Sequence, residues 1–255
     1  MTAGNSPAIS SVGRQNTAAG RTNRGRGTTV TTTGTAAYEG LSDLPPLVEA
    51  AVGVARSMDF AYSCLPQHGE LLRVLARGVG PGMIGETGTG CGVGLAWLAS
   101  GAHPQARLVS VEREPDRAAA AAEVFRDAPA VRVRHGQWPD LAEFAPFDLL
   151  ILDGGGQGKG DEPPLDPAAW LRPGGLLVMD DFTPLTEWPP TFDGRPDQAR
   201  LWWLDHPELR ATQVNVTPGQ AVILAAYIGP AGFEKSAVVD GSDPSVPDDA
   251  VDPLP

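Results

Sequence analysis

Three acids, Asp153, Asp180 and Asp181, each close a short apolar run: Phe147-Asp-Leu-Leu-Ile-Leu152 before the first, Leu176-Leu-Val-Met179 before the other two. Runs of this length read as buried strands. Neighbouring strands lie about 4.8 Å apart, so acids ending adjacent parallel strands meet at one rim. Three converging carboxylates repel one another unless neutralised, and a hard divalent cation with oxygen ligands suits them. The plainer alternative is that Asp180 and Asp181 cap the loop before Pro184 or meet a cationic substrate group. Two further acids frame a glycine-rich loop. Glu86 opens the run Glu86-Thr-Gly-Thr-Gly-Cys-Gly-Val-Gly94, and Glu112 closes the apolar run Leu108-Val-Ser-Val111, 26 residues beyond it.

The glycine run lies between a short apolar strand, Gly82-Met-Ile-Gly85, and the helical pattern Leu95-Ala-Trp-Leu-Ala-Ser100. In that setting glycines let the backbone turn and approach a ligand, and the helix N-terminus presents free N–H groups. A carboxylate at Glu112 can accept both hydroxyls of a ribose. Two nucleotide-like ligands compete. NAD-binding folds use G-x-G-x-x-G with an acid about 20 residues on, but here Val93 occupies the place of the third glycine. Glu86 at the loop's mouth also repels a pyrophosphate. It suits the cationic amino acid end of S-adenosylmethionine, which joins an ammonium and a sulfonium to a ribose and adenine.

In motif order, over roughly residues 80 to 230, the chain resembles class I S-adenosylmethionine-dependent methyltransferases, whose first motif is E-x-G-x-G-x-G. Glu86, Gly88 and Gly90 match that loop, and Glu112 matches the ribose acid. His135-Gly-Gln-Trp138 stands where the family contacts adenine, Phe147 to Asp153 matches its fourth strand, and Leu171-Arg-Pro-Gly-Gly175 matches the L-x-P-G-G turn before the fifth. The resemblance implies cofactor contacts at Glu86, Gly88, Gly90, Gly94, Glu112, Arg113, Gly136, Gln137, Trp138 and Asp153. Within that class the chain resembles the catechol-type bacterial small-molecule O-methyltransferases, which hold magnesium or another divalent ion with an Asp and an Asp-Asn pair. Asp153 and Asp180 fit that pattern, and Asp181 replaces the Asn. That subfamily places a Lys three residues after the first Asp, where this chain has Gly156. The nearest lysine, Lys159, is then the candidate base beside Asp153, or else a solvated loop residue.

The implied activity is O-methylation of a small aromatic or catechol-like acceptor. The alternatives are a metal-independent N- or O-methyltransferase, an NAD-binding dehydrogenase, or a protein that binds S-adenosylmethionine without turnover. A net charge of −12 disfavours nucleic acid and anionic membranes. The segment Asp153-Gly-Gly-Gly156 also lacks the N/D-P-P-Y/F motif of nucleic-acid methylation. No apolar run reaches the ~18–20 residues of a membrane span, no secretory signal opens the chain, and Cys64 and Cys91 make no disulfide framework. A cytoplasmic protein is expected, with a second copy of the chain as its only expected macromolecular partner.

The elements that must position these residues are legible as a pattern. Residues 1–38 carry four arginines and no acid and read as a disordered basic tail; residues 231–255, with five aspartates, read as a disordered acidic one. Residues 39–80 hold two helical stretches, Pro45 to Ala55 and Gly69 to Ala76, expected as a cap over the cofactor and one wall of the acceptor site. Tyr62, Ser63 and His68 fall in the turn between them, His68 as a packing residue. The core, residues 81–230, alternates strands near 82–86, 107–112, 130–134, 147–153 and 175–180 with helices at 93–100, 115–127 and 166–172. It ends in two strands joined by Thr217-Pro-Gly219. The expected fold is α/β: a Rossmann-like, seven-stranded, mostly parallel sheet with a terminal antiparallel hairpin, helices on both faces and an N-terminal helical cap. Residues 182–203 complete the expected acceptor wall, with Trp188, Trp202 and Trp203 available to stack on an aromatic ring.

Overall fold

A computed structural model describes residues 34–159 and 162–230. Two helices come first, α1 (Pro46–Ser57) and α2 (Pro66–Gly78), each with proline in its first turn, where the missing N–H costs nothing. Then follow β1 (Met83–Thr87), α3 (Val93–Gly101), β2 (Arg107–Glu112), α4 (Pro115–Val124), β3 (Val131–His135) and β4 (Phe147–Leu152). After β4 come α5 (Pro167–Trp170), β5 (Leu171–Phe182), a small hairpin of β6 (Thr191–Phe192) and β7 (Arg195–Pro196), α6 (Gln198–Leu204), β8 (Leu209–Thr217) and β9 (Gln220–Tyr227).

The seven-stranded sheet runs β3-β2-β1-β4-β5-β9-β8. Strands β1 to β5 are parallel, and β9 is antiparallel to both β5 and β8. The chain reverses its order at β1, which pairs with β2 on one side and β4 on the other. In open α/β sheets that reversal opens a ligand crevice beyond the carboxyl ends of the strands. Register makes the point concrete: Thr87 pairs with Val111 and with Leu152. Gly88, Glu112 and Asp153 therefore leave the sheet side by side.

Alternating side chains divide the core. Ile84, Leu108, Leu149, Ile151 and Val178 face Ala51, Leu72, Trp97 and Leu98 of the longer helices. Val109, Val111, Leu150, Leu152 and Met179 face Leu141, Trp170 and Trp203 on the other side, where the covering elements are short. No helix among the described residues is long and apolar enough to cross a membrane.

Several expectations need correction. The basic tail does not reach residue 38. Thr35 hydrogen bonds to Ser63 Oγ (2.8 Å) and to the Phe60 carbonyl (2.5 Å). Tyr38 is 2% exposed; its hydroxyl donates to the Cys64 carbonyl (3.0 Å) and accepts from Trp97 Nε1 (2.8 Å). One aromatic ring with a polar handle suffices to anchor a segment otherwise poor in apolar residues. The rest of that tail and the whole acidic tail lie outside the described residues. His68 sits inside α2 rather than in the turn before it. The expected helix at 166–172 is a single turn, because Leu171 to Gly175 is already extended as the start of β5. Its pairing with β4 slips between Phe147 and Leu149, and Gly174 takes φ +83°. Tyr38→Ala should cost about 3–5 kcal/mol, the usual range for deleting a buried large side chain. Thermal melting should show a fall of roughly 10 °C, and an unchanged melting temperature would contradict this packing.

Candidate active site

The glycine loop is tight because two backbones meet beneath it. Gly88 has φ +85°, and a Cβ there would lie 2.7 Å from Gly154 Cα, at the head of the loop after β4. No side chain fits between them. Gly94, in the first turn of α3, would place a Cβ 2.6 Å from Glu86 Oε1. Glu86 itself is buried and does not line the cleft. Ser110 Oγ donates to its Oε2 (2.5 Å), and Thr89 Oγ1 joins Ser110 at 2.5 Å, so the acid braces the loop from below.

Burial, partly offset by the Ser110 bond, pushes the Glu86 carboxyl from 4.5 up to about 8. The fold thus prefers the protonated acid. Its stabilising contribution is complete below pH 4.5 and is lost as pH rises through about 8. Glu86→Gln should therefore gain stability relative to the parent as pH rises across that window, read by denaturant titration at several pH values. A difference that is flat with pH would contradict the protonated state.

Above the loop lies a cleft of about 1070 Å³ that runs from the β2 end to the β5 end of the rim. At the β2 end, Glu112 accepts from the backbone N–H of Gly90 (2.8 Å, Oε2), from that of Glu114 (2.9 Å, Oε1) and from Arg117 (2.7 Å, Oε1). Arg113 lines the cleft with a largely exposed side chain paired to Glu114 at 3.5 Å. Gly136 and Gln137 follow β3, and Asp140 Oδ2 accepts from Gln137 N at 2.7 Å. Trp138 donates to Glu162 Oε2 (2.8 Å), and Glu162 Oε1 accepts from Gly156 N (3.0 Å). Glu162 thereby ties the loop after β4 to the turn after β3.

At the opposite end Asp153, Asp180 and Asp181 come together, each offering an oxygen within 4.8 Å of the others. Burial, then the charges of Asp180 and Asp181, hold Asp153 well above the carboxylate range. An all-oxygen cluster under mutual repulsion fits a hard divalent cation. Asp181 adopts φ +59°, a left-handed conformation that Asp and Asn tolerate better than other side chains. Gln157 Nε2 reaches Asp180 Oδ1 (3.3 Å) and the Leu152 carbonyl. Lys159 lines the same end. Its Nζ donates to the carbonyls of Asp180 (2.7 Å) and Asp181 (3.2 Å) and lies 4.1 Å from the centre of the Phe182 ring. Burial lowers its pKa, against the pull of the acids. Lys159 is therefore no solvated loop residue, although three positions separate it from the expected site at Gly156.

The acceptor wall differs from expectation. Helices α1 and α2 pack on α3, and among the described residues of the N-terminal region only the connecting segment, through Phe60, Tyr62, Ser63 and Cys64, reaches the cleft. None of the three tryptophans lines it. Trp203 is buried and donates to the Gln157 carbonyl (2.8 Å), Trp202 packs edge-on against Trp203, and Trp188 is 62% exposed. His68 is buried with neither ring nitrogen hydrogen bonded among the described residues, and burial lowers its pKa, so it packs as the neutral imidazole. Sequence reasoning missed Arg117, Glu162, Gln157 and Phe60. Arg117 had a usable signal, since it follows Glu112 by five residues in the first turn of α4. Glu162, in an irregular loop, had none.

Residues 86–182, from the glycine loop to the acid cluster, match the family described as methyltransferase domain. A Mycobacteroides abscessus protein bearing an O-methyltransferase name is 33% identical over 124 residues, covering 45% of this chain and 56% of that protein. A catechol O-methyltransferase of Niastella koreensis is 30% identical over 149 residues, 53% of this chain and 65% of that one. The chain thus spans 56% and 65% of the length of these two curated relatives. The fold is matched by the crystal structure of a Bacillus cereus O-methyltransferase in complex with SAH. That likeness has a TM-score of 0.57 and 22% identity, covering 77% of this chain and 98% of that one.

Proposed function

We propose that this protein is an S-adenosylmethionine-dependent O-methyltransferase acting on a small aromatic or catechol-like molecule, with a divalent cation held by Asp153, Asp180 and Asp181. The observation that carries the reading is that one cleft joins the glycine loop and Glu112 at one end to the three acids at the other. Support for the cofactor comes from the SAH bound to the Bacillus cereus relative in fold. Support for the acceptor class comes from the name of the Niastella relative. The absence of a long apolar helix among the described residues and the two buried free cysteines favour a cytoplasmic setting.

In this reading the backbone at Gly88, Gly90 and Gly94 lies along the amino acid end of the cofactor, with Glu86 bracing the loop beneath it. Glu112 receives the ribose, and Arg113, Gly136, Gln137 and Trp138 flank the adenine. Asp153, at the head of the loop after β4, stands between the two halves and shares in both. When bound, the sulfonium supplies an electrophilic methyl group, and the divalent ion supplies Lewis acidity that lowers the pKa of the acceptor hydroxyl. Asp153, Asp180 and Asp181 would hold that ion and so orient the acceptor hydroxyl in line with the carbon–sulfur bond. Lys159, its pKa lowered by burial, stands at the same end of the cleft to take up the released proton. The segment from Phe60 to Cys64 closes the wall and limits water.

Glu112→Ala should weaken SAH binding roughly 10- to 100-fold. That is the loss of one charge-assisted hydrogen bond of about 1.5–3 kcal/mol, read by calorimetry; unchanged affinity would remove the ribose from this end. The function is tested by incubating the protein with methyl-labelled S-adenosylmethionine and a panel of catechols, phenols and amines, with and without magnesium. Label should enter catechol oxygens and require the metal. Label entering amines alone would overturn the O-methyltransferase reading.

A further inference from the structure

We infer that Arg117 makes ribose recognition one-handed, by occupying one oxygen of Glu112 so that the carboxylate binds only one of the two vicinal hydroxyls. The inference rests on the methyltransferase reading and refines its ribose site. A carboxylate offers four lone-pair positions, two on each oxygen. On Glu112 Oε1 both are taken, by Arg117 at 2.7 Å and by Glu114 N at 2.9 Å. Oε2 accepts from Gly90 N at 2.8 Å and keeps one position open. A hydroxyl proton can enter there. The second hydroxyl finds no free acceptor unless Arg117 withdraws.

Withdrawal has little to drive it. Arg117 lies in the first turn of α4, its guanidinium carbon 5.4 Å from the centre of the Phe60 ring, and its side chain is only 27% exposed against 5% for Glu112. Moving it exchanges one charge-assisted bond for another and gives up the ring contact without return. Arg117 also lines the cleft, and its Nε is buried with no acceptor among the described residues. Arg117 is therefore a positioning residue that acts on the ribose through Glu112 and anchors Phe60, part of the acceptor wall, to the same carboxylate.

The test is calorimetry of the full chain with SAH, its 2′-deoxy analogue and its 3′-deoxy analogue, repeated on Arg117→Met, which keeps an unbranched stem against Phe60 and removes the donors. The parent protein should bind one deoxy analogue within about threefold of SAH and the other at least 10-fold more weakly. In Arg117→Met the two analogues should lose affinity to a similar extent, because both hydroxyls can then reach Glu112. Equal losses for both analogues on the parent protein would overturn the one-handed site, and that comparison stands even if the variant does not fold. Discrimination that persists unchanged in a folded Arg117→Met would assign it to another group. Failure of SAH itself to bind would instead overturn the methyltransferase reading, and this inference with it.

Discussion

Asp180→Ala is expected to lower the rate of methyl transfer at least about 100-fold while SAH affinity stays within roughly threefold of the parent. Asp180 belongs to the three-carboxylate cluster at the β5 end of the cleft, and Glu112 holds the other end. In the proposed reading the substitution removes a cation ligand without touching the ribose site. A metal that polarises an acceptor oxygen is worth several kcal/mol, and each 1.36 kcal/mol is tenfold in rate. Excess chelator should produce the same loss in the parent protein, and magnesium or manganese should reverse it. Asp181→Asn should keep most of the activity, since the amide oxygen can coordinate and Asn tolerates the φ of +59° found there. Full activity in excess chelator would contradict the metal and leave the three acids to position the acceptor directly.

Arg200→Leu is expected to cost about 3–5 kcal/mol of stability, the usual cost of removing one partner from a buried ion pair. Its guanidinium is 2% exposed and donates to Asp197 Oδ2, the Thr183 carbonyl and Gln213 Oε1, each at 3.0 Å, and to Thr183 Oγ1 at 3.3 Å. Leucine would fill part of the volume but leave Asp197 buried without its cation. The melting temperature should fall by roughly 10 °C. Arg200→Lys should recover little, because a single ammonium cannot reproduce the planar fork. Activity should fall with stability: Thr183 directly follows Phe182, and the Arg200 guanidinium and the Lys159 amino group, which donates to the carbonyls of Asp180 and Asp181, both pack against the Phe182 ring. A variant that melts with the parent would show that this cluster contributes nothing net.

Where spacing and period carried information, the chain was readable. Strand ends flagged by Glu86, Glu112, Asp153 and Asp180 come to one rim because parallel pairing turns a shared position along each strand into proximity in space. The closing hairpin was legible because a three-residue link between two apolar runs leaves room only for an antiparallel pair. What was not legible depends on distant partners. Nothing near Tyr38 announces Trp97, 59 positions on, as its hydrogen-bond partner. The loop from Gly154 to Lys159 left Lys159 open as base or solvated residue, yet Glu162, Gln157 and Lys159 tie it to Trp138, Leu152 and the end of β5. The tryptophans misled for a related reason: aromatic content marks a site of burial, and in Trp203 that burial serves the far side of the loop rather than the cleft.

The most direct measurement is a calorimetric titration of this chain with SAH and, separately, with NAD. The glycine loop and the hydrogen-bonded Glu112 should give SAH binding in the micromolar range, and with Val93 in the place of the third glycine NAD should give no measurable heat. Binding of NAD without binding of SAH would contradict the assignment.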